Sequence, residues 1–300
     1  MNSGFKSGFA AILGKPNVGK SSFINRIIGK KIAIVTSKPQ TTRRRILGVL
    51  NGAGYQIVFV DTPGFYKPRH ILGEYMLESA KEEAKEADIV IFMVDASTPP
   101  LPEDNHVAEF LASGSQKKIK RILLVNKIDR IEPEILAGRI EEYKALTNFE
   151  EIIPISCLTG ENLEKAGDSV VKYLPEGFPF FPPEQTTDLD EKIQISEIIR
   201  EKAMSLSRQE VPHGIMVEVE ELKPGKKPGY IYISAYIYVE KESHKKIIVG
   251  KGGERLKQVG TLARKEIEEI LEKKVYLELW VKVKPDWRDR EDILKAWGFR

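Results

Sequence analysis

The sequence predicts an α/β domain with a doubly wound sheet, followed by a smaller α+β domain. Up to about Leu174, apolar runs bounded by turn residues alternate with helical patterns, as a parallel sheet with crossover helices requires. A proline-rich stretch at 174–183 then interrupts regular structure. Beyond it the elements follow a different order. We therefore expect a first domain at 1–174, a linker at 175–187, a second domain at 188–284 and a tail at 285–300.

Composition is compatible with two soluble domains and excludes several classes. The chain has 300 residues, 41% of them hydrophobic, and a net charge of +3, which is too small to indicate nucleic-acid binding by itself. A single cysteine permits no internal disulfide and suits the cytoplasm. The scattered histidines give no zinc spacing, and no apolar run is long enough to span a bilayer.

The most specific motif is Gly14–Ser21, which reads Gly-Lys-Pro-Asn-Val-Gly-Lys-Ser between a predicted strand and a predicted helix. Its glycines let successive backbone N–H groups face phosphate oxygens. Lys20 supplies a charge for the β- and γ-phosphates, and the Ser21 hydroxyl is suited to Mg²⁺. This pattern predicts a phosphate-binding loop but does not identify the base.

A second motif addresses the base. Asn126, Lys127 and Asp129 follow an apolar strand at 123–125. A carboxylate at this place accepts hydrogen bonds from the ring N–H and exocyclic amine of guanine, a donor pair that adenine lacks. Asn126 is expected to brace the loop and touch the base, and the Lys127 stem to cover the ring.

Two further motifs follow strands in the same way. Strand 55–60 leads into Asp61–Gly64, where Asp61 can hold Mg²⁺ through water and the Gly64 N–H can bond the γ-phosphate. A strand is also expected at 152–158, and its small polar residue, Ser156, is suited to a backbone contact with the base. Ligands bind at the carboxyl ends of strands in open α/β sheets. The predicted nucleotide-binding residues are Gly14, Lys15, Pro16, Asn17, Val18, Gly19, Lys20, Ser21, Ser22, Asp61, Thr62, Pro63, Gly64, Asn126, Lys127, Asp129, Ser156, Cys157 and Leu158.

Together these four motifs resemble those of the translation-factor-type GTPases. The resemblance implies binding of GTP and GDP, hydrolysis with Mg²⁺, and a first switch at 36–43. Thr41 and Thr42 are both candidates to reach the metal there, and the related Thr-Thr-Arg switch favours Thr42. The second switch is expected at 64–74. The resemblance thus assigns catalytic roles to Lys20, Thr42 and Gly64, and metal ligation to Ser21, Thr42 and Asp61.

The residue after Gly64 shapes the expected mechanism. Many small GTPases place a Gln there to orient water, whereas this chain has Phe65. We therefore expect slow intrinsic hydrolysis. Asn17 occupies the place that helps hold K⁺ in potassium-activated relatives, although an ordinary turn-forming role explains it equally well.

The second domain reads as a helix, two strands, two helices and a strand, with Gly250–Gly253 between the helices. A Gly-x-x-Gly turn there can clamp about four single-stranded nucleotides, and neighbouring lysines supply charge. This order resembles the type II KH domain. The predicted RNA-binding residues are Lys245, Lys246, Ile248, Val249, Gly250, Lys251, Gly252, Gly253 and Arg255.

The combination, from Phe9 to about Lys284, resembles the Era-like family of bacterial ribosome-assembly GTPases. That resemblance implies binding to the 3′ end of 16S ribosomal RNA, action in maturation of the 30S subunit, and a monomer in the cytoplasm with room for peripheral contact with the inner membrane. Two alternatives stay open: a GTPase-regulated RNA-modification factor or chaperone acting on another RNA, and a structural RNA-binding protein with a vestigial nucleotide site. The intact Lys20, Ser21, Asp61 and Asp129 argue against the second alternative.

Overall fold

The computed structural model describes residues 4–113, 119–207 and 210–299. Within these ranges the chain divides into two compact units. The first unit contains 4–33 and 42–188, and the second contains 34–41 and 189–299. The second unit is thus built from two separate pieces of chain.

The first unit is a six-stranded sheet with helices, of the doubly wound kind that the sequence predicts. Its strands are β1 Lys6–Leu13, β2 Ile46–Gly52, β3 Tyr55–Asp61, β4 Ile89–Asp95, β5 Lys120–Asn126 and β6 Glu151–Pro154. Its helices are α1 Lys20–Ile28, α2 Ile71–Glu86, α3 Pro102–Ala112, α4 Pro133–Lys144 and α5 Leu163–Tyr173.

The strand order places the loop after β1 at a topological switch point. The order is β2-β3-β1-β4-β5-β6, and all pairs are parallel except β2 with β3. From β1 the chain builds β3 on one side and β4 on the other, which opens a crevice at the carboxyl edge. β4 is buried along its whole length, as a central parallel strand should be.

One predicted element ends earlier than expected. The strand expected at 152–158 stops at Pro154, and Ser156 begins a turn in which its carbonyl accepts from the Gly160 N–H at 2.9 Å. The Ser156 hydroxyl also accepts from the Thr159 N–H at 3.1 Å. The apolar run continues past the strand because Ile155 and Cys157 are buried in the turn itself.

The proline-rich segment lies against the first unit. The Gln56 side chain accepts from the N–H groups of Phe180 and Phe181 at 2.7 and 3.0 Å and donates to the Phe181 carbonyl at 2.8 Å. Ser7 donates to the Phe178 carbonyl at 2.7 Å. A segment without regular structure is therefore held by side chains of the sheet.

The second unit has a three-stranded sheet covered by helices in the predicted order. Its elements are α6 Glu191–Ser205, β7 Met216–Pro224, β8 Tyr230–Val239, α7 Glu242–Val249, α8 Glu254–Leu271, β9 Lys274–Val283 and α9 Glu291–Ala296. β8 pairs with β7 antiparallel and with β9 in parallel. Alternate residues of the strands form one core with the inward faces of α6, α7 and α8.

The tail packs on the second unit. Trp287 is fully buried and donates from its indole to the Gly214 carbonyl at 3.0 Å. Trp297 lies edge-on to it, with ring centroids 5.2 Å apart. Among the described residues, no helix is long and apolar enough to cross a membrane.

Candidate nucleotide and RNA sites

The phosphate loop follows β1 and is fitted against the base loop. Gly19 has φ +112°, and a Cβ there would lie 2.2 Å from Asn126 Nδ2. Only glycine satisfies both conditions. Asn126 in turn donates to the Val18 carbonyl at 2.7 Å. The two loops therefore form one structure.

Lys20 opens α1 with its ammonium directed back into the loop. Its Nζ donates to the carbonyls of Gly14 and Lys15 at 3.1 and 3.3 Å. Burial lowers the pKa of Lys20 to about 8, although the nearby Asp61 carboxylate opposes that shift. A bound triphosphate would surround this ammonium with negative charge and stabilise its protonated form.

Three hard oxygens converge beside Lys20. Ser21 Oγ donates to Asp61 Oδ2 at 2.6 Å, and Thr42 Oγ1 lies 3.1 Å from Asp61 and 3.0 Å from Ser21. Burial raises the pKa of Asp61, although Lys20 and the two hydroxyls oppose that shift. Asp61 Oδ1 is buried with no hydrogen-bond partner among the described residues. A carboxylate with a spare buried oxygen and two hydroxyls suits a small divalent cation such as Mg²⁺.

The structure distinguishes the two threonines of the first switch. Thr42 reaches the Ser21–Asp61 pair, whereas the Thr41 hydroxyl turns to Thr36 Oγ1 and to the Lys38 carbonyl, each at 2.7 Å. This geometry favours Thr42 as the metal-facing residue.

Hydrogen bonds to Asn126 and Asp129 join the two loops that are expected to contact the base. Asn126 Oδ1 accepts from the Cys157 N–H at 3.0 Å, and Ser156 donates to Asp129 Oδ1 at 2.5 Å. Asp129 is exposed, whereas Ser156 is fully buried. Leu158 is 74% exposed at the rim of this loop.

Cys157 is a buried packing residue within this loop. Burial raises the pKa of the Cys157 thiol to about 12. Its thiol therefore stays protonated at neutral pH, and its contribution to the base loop is the backbone N–H.

Sequence reasoning missed two acidic partners of the site. Asp95 ends β4 and accepts from Lys127 Nζ at 2.5 Å, which places the Lys127 stem. Burial alone would raise the pKa of Asp95, but hydrogen bonds from Lys127 and Ser97 outweigh it and lower that pKa. The position of Asp95 at the carboxyl end of β4 was the sequence signal that could have identified it as part of the site.

The other missed partner lies beneath the phosphate loop. Lys15 Nζ forms a 2.7 Å ion pair with Asp104, which is fully buried, and lies 3.3 Å from Thr98 Oγ1. Asp104 also accepts from the Leu101 N–H at 2.9 Å. Local sequence offers no signal for a pair 89 positions apart.

The Asp61–Gly64 segment passes close to the phosphate loop. Thr62 donates to the Ile12 carbonyl at 2.6 Å, so its side chain braces two strands. A Cβ on Gly64 would lie 2.8 Å from the Pro16 backbone nitrogen. Phe65 donates its N–H to the Gly14 carbonyl at 3.0 Å, and its ring is buried near Phe110.

The RNA loop joins α7 to α8 in the second unit. Gly250, Gly252 and Gly253 all have positive φ, at +74°, +59° and +84°. Arg255 donates to the Ile247 carbonyl at 2.8 Å, which ties α8 back to α7. Lys251 and Gly252 of this turn are exposed.

One predicted RNA contact needs correction. Ile248 is 1% exposed and belongs to the core of the second unit. The helical period of α7 turns its side chain into that core, where it helps to hold the helix in place.

The comparisons with known proteins cover both units. The model of the 50S ribosome-binding GTPase family matches residues 9–127, and that of the KH domain matches 210–288. GTPase Era of Clostridium botulinum (strain Hall) is 46% identical over 296 residues, 99% of either chain. This chain belongs to the Era family of GTPases.

Solved Era structures have the same fold. One, of Era with MgGDPNP and nucleotides 1506–1542 of 16S ribosomal RNA, has a TM-score of 0.95 and 44% identity, covering 98% of this chain and 99% of that one. Another, of a tyrosine-to-alanine variant of Aquifex aeolicus Era bound to GDP·AlF₄⁻, has a TM-score of 0.93 and 44% identity over the same shares. Family membership establishes this chain as a GTPase.

Proposed function

We propose that this chain is a GTP-driven switch that binds the single-stranded 3′ end of 16S ribosomal RNA and assists maturation of the 30S subunit. The observation that carries the proposal is the full-length similarity to the Era structure with MgGDPNP and 16S nucleotides, together with both sets of predicted site residues in this chain. Crosslinking RNA to the chain in cells and mapping the sites tests it. Recovery of only other RNAs would favour the rival role of an RNA-modification factor or chaperone.

In the nucleotide site, each residue has a separable part. Lys20 pairs with the β- and γ-phosphates, and the amides of 14–21 cradle them. Ser21, Thr42 and Asp61 hold Mg²⁺, which neutralises developing phosphate charge when bound. The Gly64 N–H bonds the γ-phosphate and loses that bond after hydrolysis, which releases the second switch at 64–74.

Choice of guanine rests on Asp129. Its carboxylate is supported by the short bond from Ser156, and Asn126 and the Cys157 N–H fix the loops around it. Competition of GTP with ATP for the purified protein tests the proposal. Equal binding of the two nucleotides would overturn it.

Hydrolysis must proceed without a water-orienting side chain at Phe65. We propose that K⁺ beside Asn17 accelerates the reaction, in competition with the plainer explanation that Asn17 is a turn former. Its φ of +65° lies where Asn is tolerated. Multiple-turnover hydrolysis in K⁺ and in Na⁺ decides between them, because only the first explanation predicts a faster rate in K⁺.

RNA binding is assigned to the 250–253 turn, with charge from Lys245, Lys246, Lys251 and Arg255.

We propose that the chain acts as a cytoplasmic monomer with peripheral contact at the inner membrane, which rests on the family resemblance alone. Sedimentation equilibrium and flotation with anionic vesicles test these two points.

A further inference from the structure

Two adjacent residues of α6 hold the segment 34–41 at both of its ends. Arg200 Nη2 donates to the Thr41 carbonyl at 2.5 Å, and Glu201 Oε1 accepts from the Val35 N–H at 3.0 Å. Arg200 is 1% exposed and Glu201 is 6% exposed. Buried hydrogen bonds to charged groups are the strong kind. These contacts place the segment in the same unit as the RNA-binding helices.

Arg200 and Glu201 together form a clamp on 34–41, and further contacts hold both side chains in place. The Arg200 guanidinium also donates to Glu197 from Nε at 2.9 Å and from Nη2 at 2.5 Å, and Nη1 lies 3.3 Å from the Met204 sulfur. Glu201 forms a 2.6 Å ion pair with Lys202. α6 contributes Ile195, Ile198 and Ile199 to the core. The donor and the acceptor are therefore presented by a helix that is packed into the core.

Segment 34–41 also contains hydrogen bonds between its own residues. The hydroxyls of Thr36 and Thr41 lie 2.7 Å apart, and Thr36 Oγ1 accepts from the Lys38 N–H at 3.0 Å. The next residue, Thr42, faces Ser21 and Asp61 instead. A single peptide bond thus separates a residue held by α6 from a residue at the cation site.

We propose that Arg200 and Glu201 are positioning residues for Thr42. By fixing 34–41, they limit the conformations from which Thr42 must be recruited to Mg²⁺ and the γ-phosphate, which favours GTP over GDP. This inference rests on the proposed role of Thr42 and deepens the proposed switch, because it makes the first helix of the RNA-binding unit a determinant of the nucleotide state. By linkage, RNA binding that alters α6 changes GTP affinity by the same factor as GTP changes RNA affinity.

The first experiment compares Arg200→Met with Lys192→Met in the full-length protein. Both substitutions remove one positive charge from α6, but Lys192 is exposed and its ammonium bonds the Glu220 carbonyl, at 3.3 Å, away from 34–41. Arg200→Met should raise amide hydrogen exchange at 35–41 about tenfold or more. It should weaken binding of Mg²⁺ with a non-hydrolysable GTP analogue about threefold to tenfold, with GDP affinity unchanged within about twofold. Lys192→Met should change none of these.

A second pair of variants covers the case in which Arg200→Met disturbs folding. Glu201→Gln keeps a carbonyl oxygen that can accept from the Val35 N–H, whereas Glu201→Met does not. The inference predicts wild-type exchange at 35–41 and wild-type GTP-analogue affinity for Glu201→Gln, and losses like those of Arg200→Met for Glu201→Met. Equal behaviour of the two Glu201 variants would overturn it, as would parallel losses of GTP-analogue and GDP affinity.

The results that would refute the proposed function differ from those that would refute the role of Arg200 and Glu201. A wild-type chain that ignores guanine nucleotides or the 16S 3′-end oligonucleotide would refute that function, while the exchange measurement still tests the clamp. If wild type binds both and the RNA changes GTP-analogue affinity, that change should shrink at least about threefold in Arg200→Met. An undiminished RNA effect in that variant would overturn the clamp alone.

Discussion

Replacing Asn126 by alanine tests whether the phosphate loop and the base loops are one structure. Asn126 is 2% exposed. Its amide donates to the Val18 carbonyl at 2.7 Å and accepts from the Cys157 N–H at 3.0 Å. Alanine removes both bonds and leaves two buried backbone groups without their partner.

The expected loss in the free energy of unfolding follows from the Val18 carbonyl and the Cys157 N–H, which lose their partner. An unpaired buried backbone group costs about 1–3 kcal/mol, so Asn126→Ala should lower the free energy of unfolding by about 2–4 kcal/mol after relaxation. GDP affinity should fall as well, by about 100-fold, because both loops that contact the nucleotide lose their shared brace. Asn105→Ala on the exposed side of α3 is the matched control and should change neither quantity.

Urea unfolding provides the measurement. With two units, the chain need not unfold in one step, so the transition that moves to higher urea with added GDP is the one assigned to the nucleotide-binding unit. Asn126→Ala should shift that transition and leave any other unchanged. An Asn126→Ala protein with the midpoint and GDP affinity of Asn105→Ala would refute the reasoning.

Three further predictions concern other parts of the two sites. Asp129→Asn should weaken GDP binding about 100-fold or more and improve binding of XDP, because the amide can donate to the C2 oxygen of xanthine; isothermal titration measures both, and unchanged GDP affinity would count against the assignment of Asp129. Gly252→Asp should weaken binding of a 16S 3′-end oligonucleotide at least about tenfold, whereas Gly229→Asp, in a turn with a similar positive φ, should not; equal losses would place the effect in folding. Cys157, with its pKa raised to about 12 by burial, should have about one thiolate in 10,000 at pH 8 and react with iodoacetamide far more slowly than a free thiol; alkylation at the rate of a model thiol would contradict the buried placement.

The motifs predicted for the nucleotide site are each local in the sequence. A glycine-flanked loop after a strand, or an Asp two residues past an Asn-Lys pair, carries its chemistry within a few positions. Parallel strands then bring these short motifs to one edge of the sheet without further information. Thr42 reaches Ser21 and Asp61 by a different route, because it precedes β2, whose antiparallel pairing with β3 sets Ile46 opposite Asp61.

The unpredicted parts of the site are contacts between distant residues. The ion pair of Lys15 with Asp104 and that of Lys127 with Asp95 join segments that no periodicity relates. The error at Ile248 has a different origin, because the glycine motif was given more weight than the helical period that turns this residue inward. Local motifs identify chemistry, whereas tertiary packing decides which neighbours are available to it.

The division of the chain at residue 41 illustrates the same limit most clearly. A linear map assigns 34–41 to the first domain, since strands of that domain lie on both sides of it in sequence. The segment has too few apolar residues to form an element of its own. Besides the bonds within it, the Thr41 carbonyl and the Val35 N–H bond Arg200 and Glu201, which lie 159 and 166 positions away. Backbone groups that lack a local partner take whichever buried donor or acceptor the fold supplies. In this chain those partners lie on α6, the first helix of the second unit, so 34–41 belongs to that unit although it precedes Thr42 in the sequence.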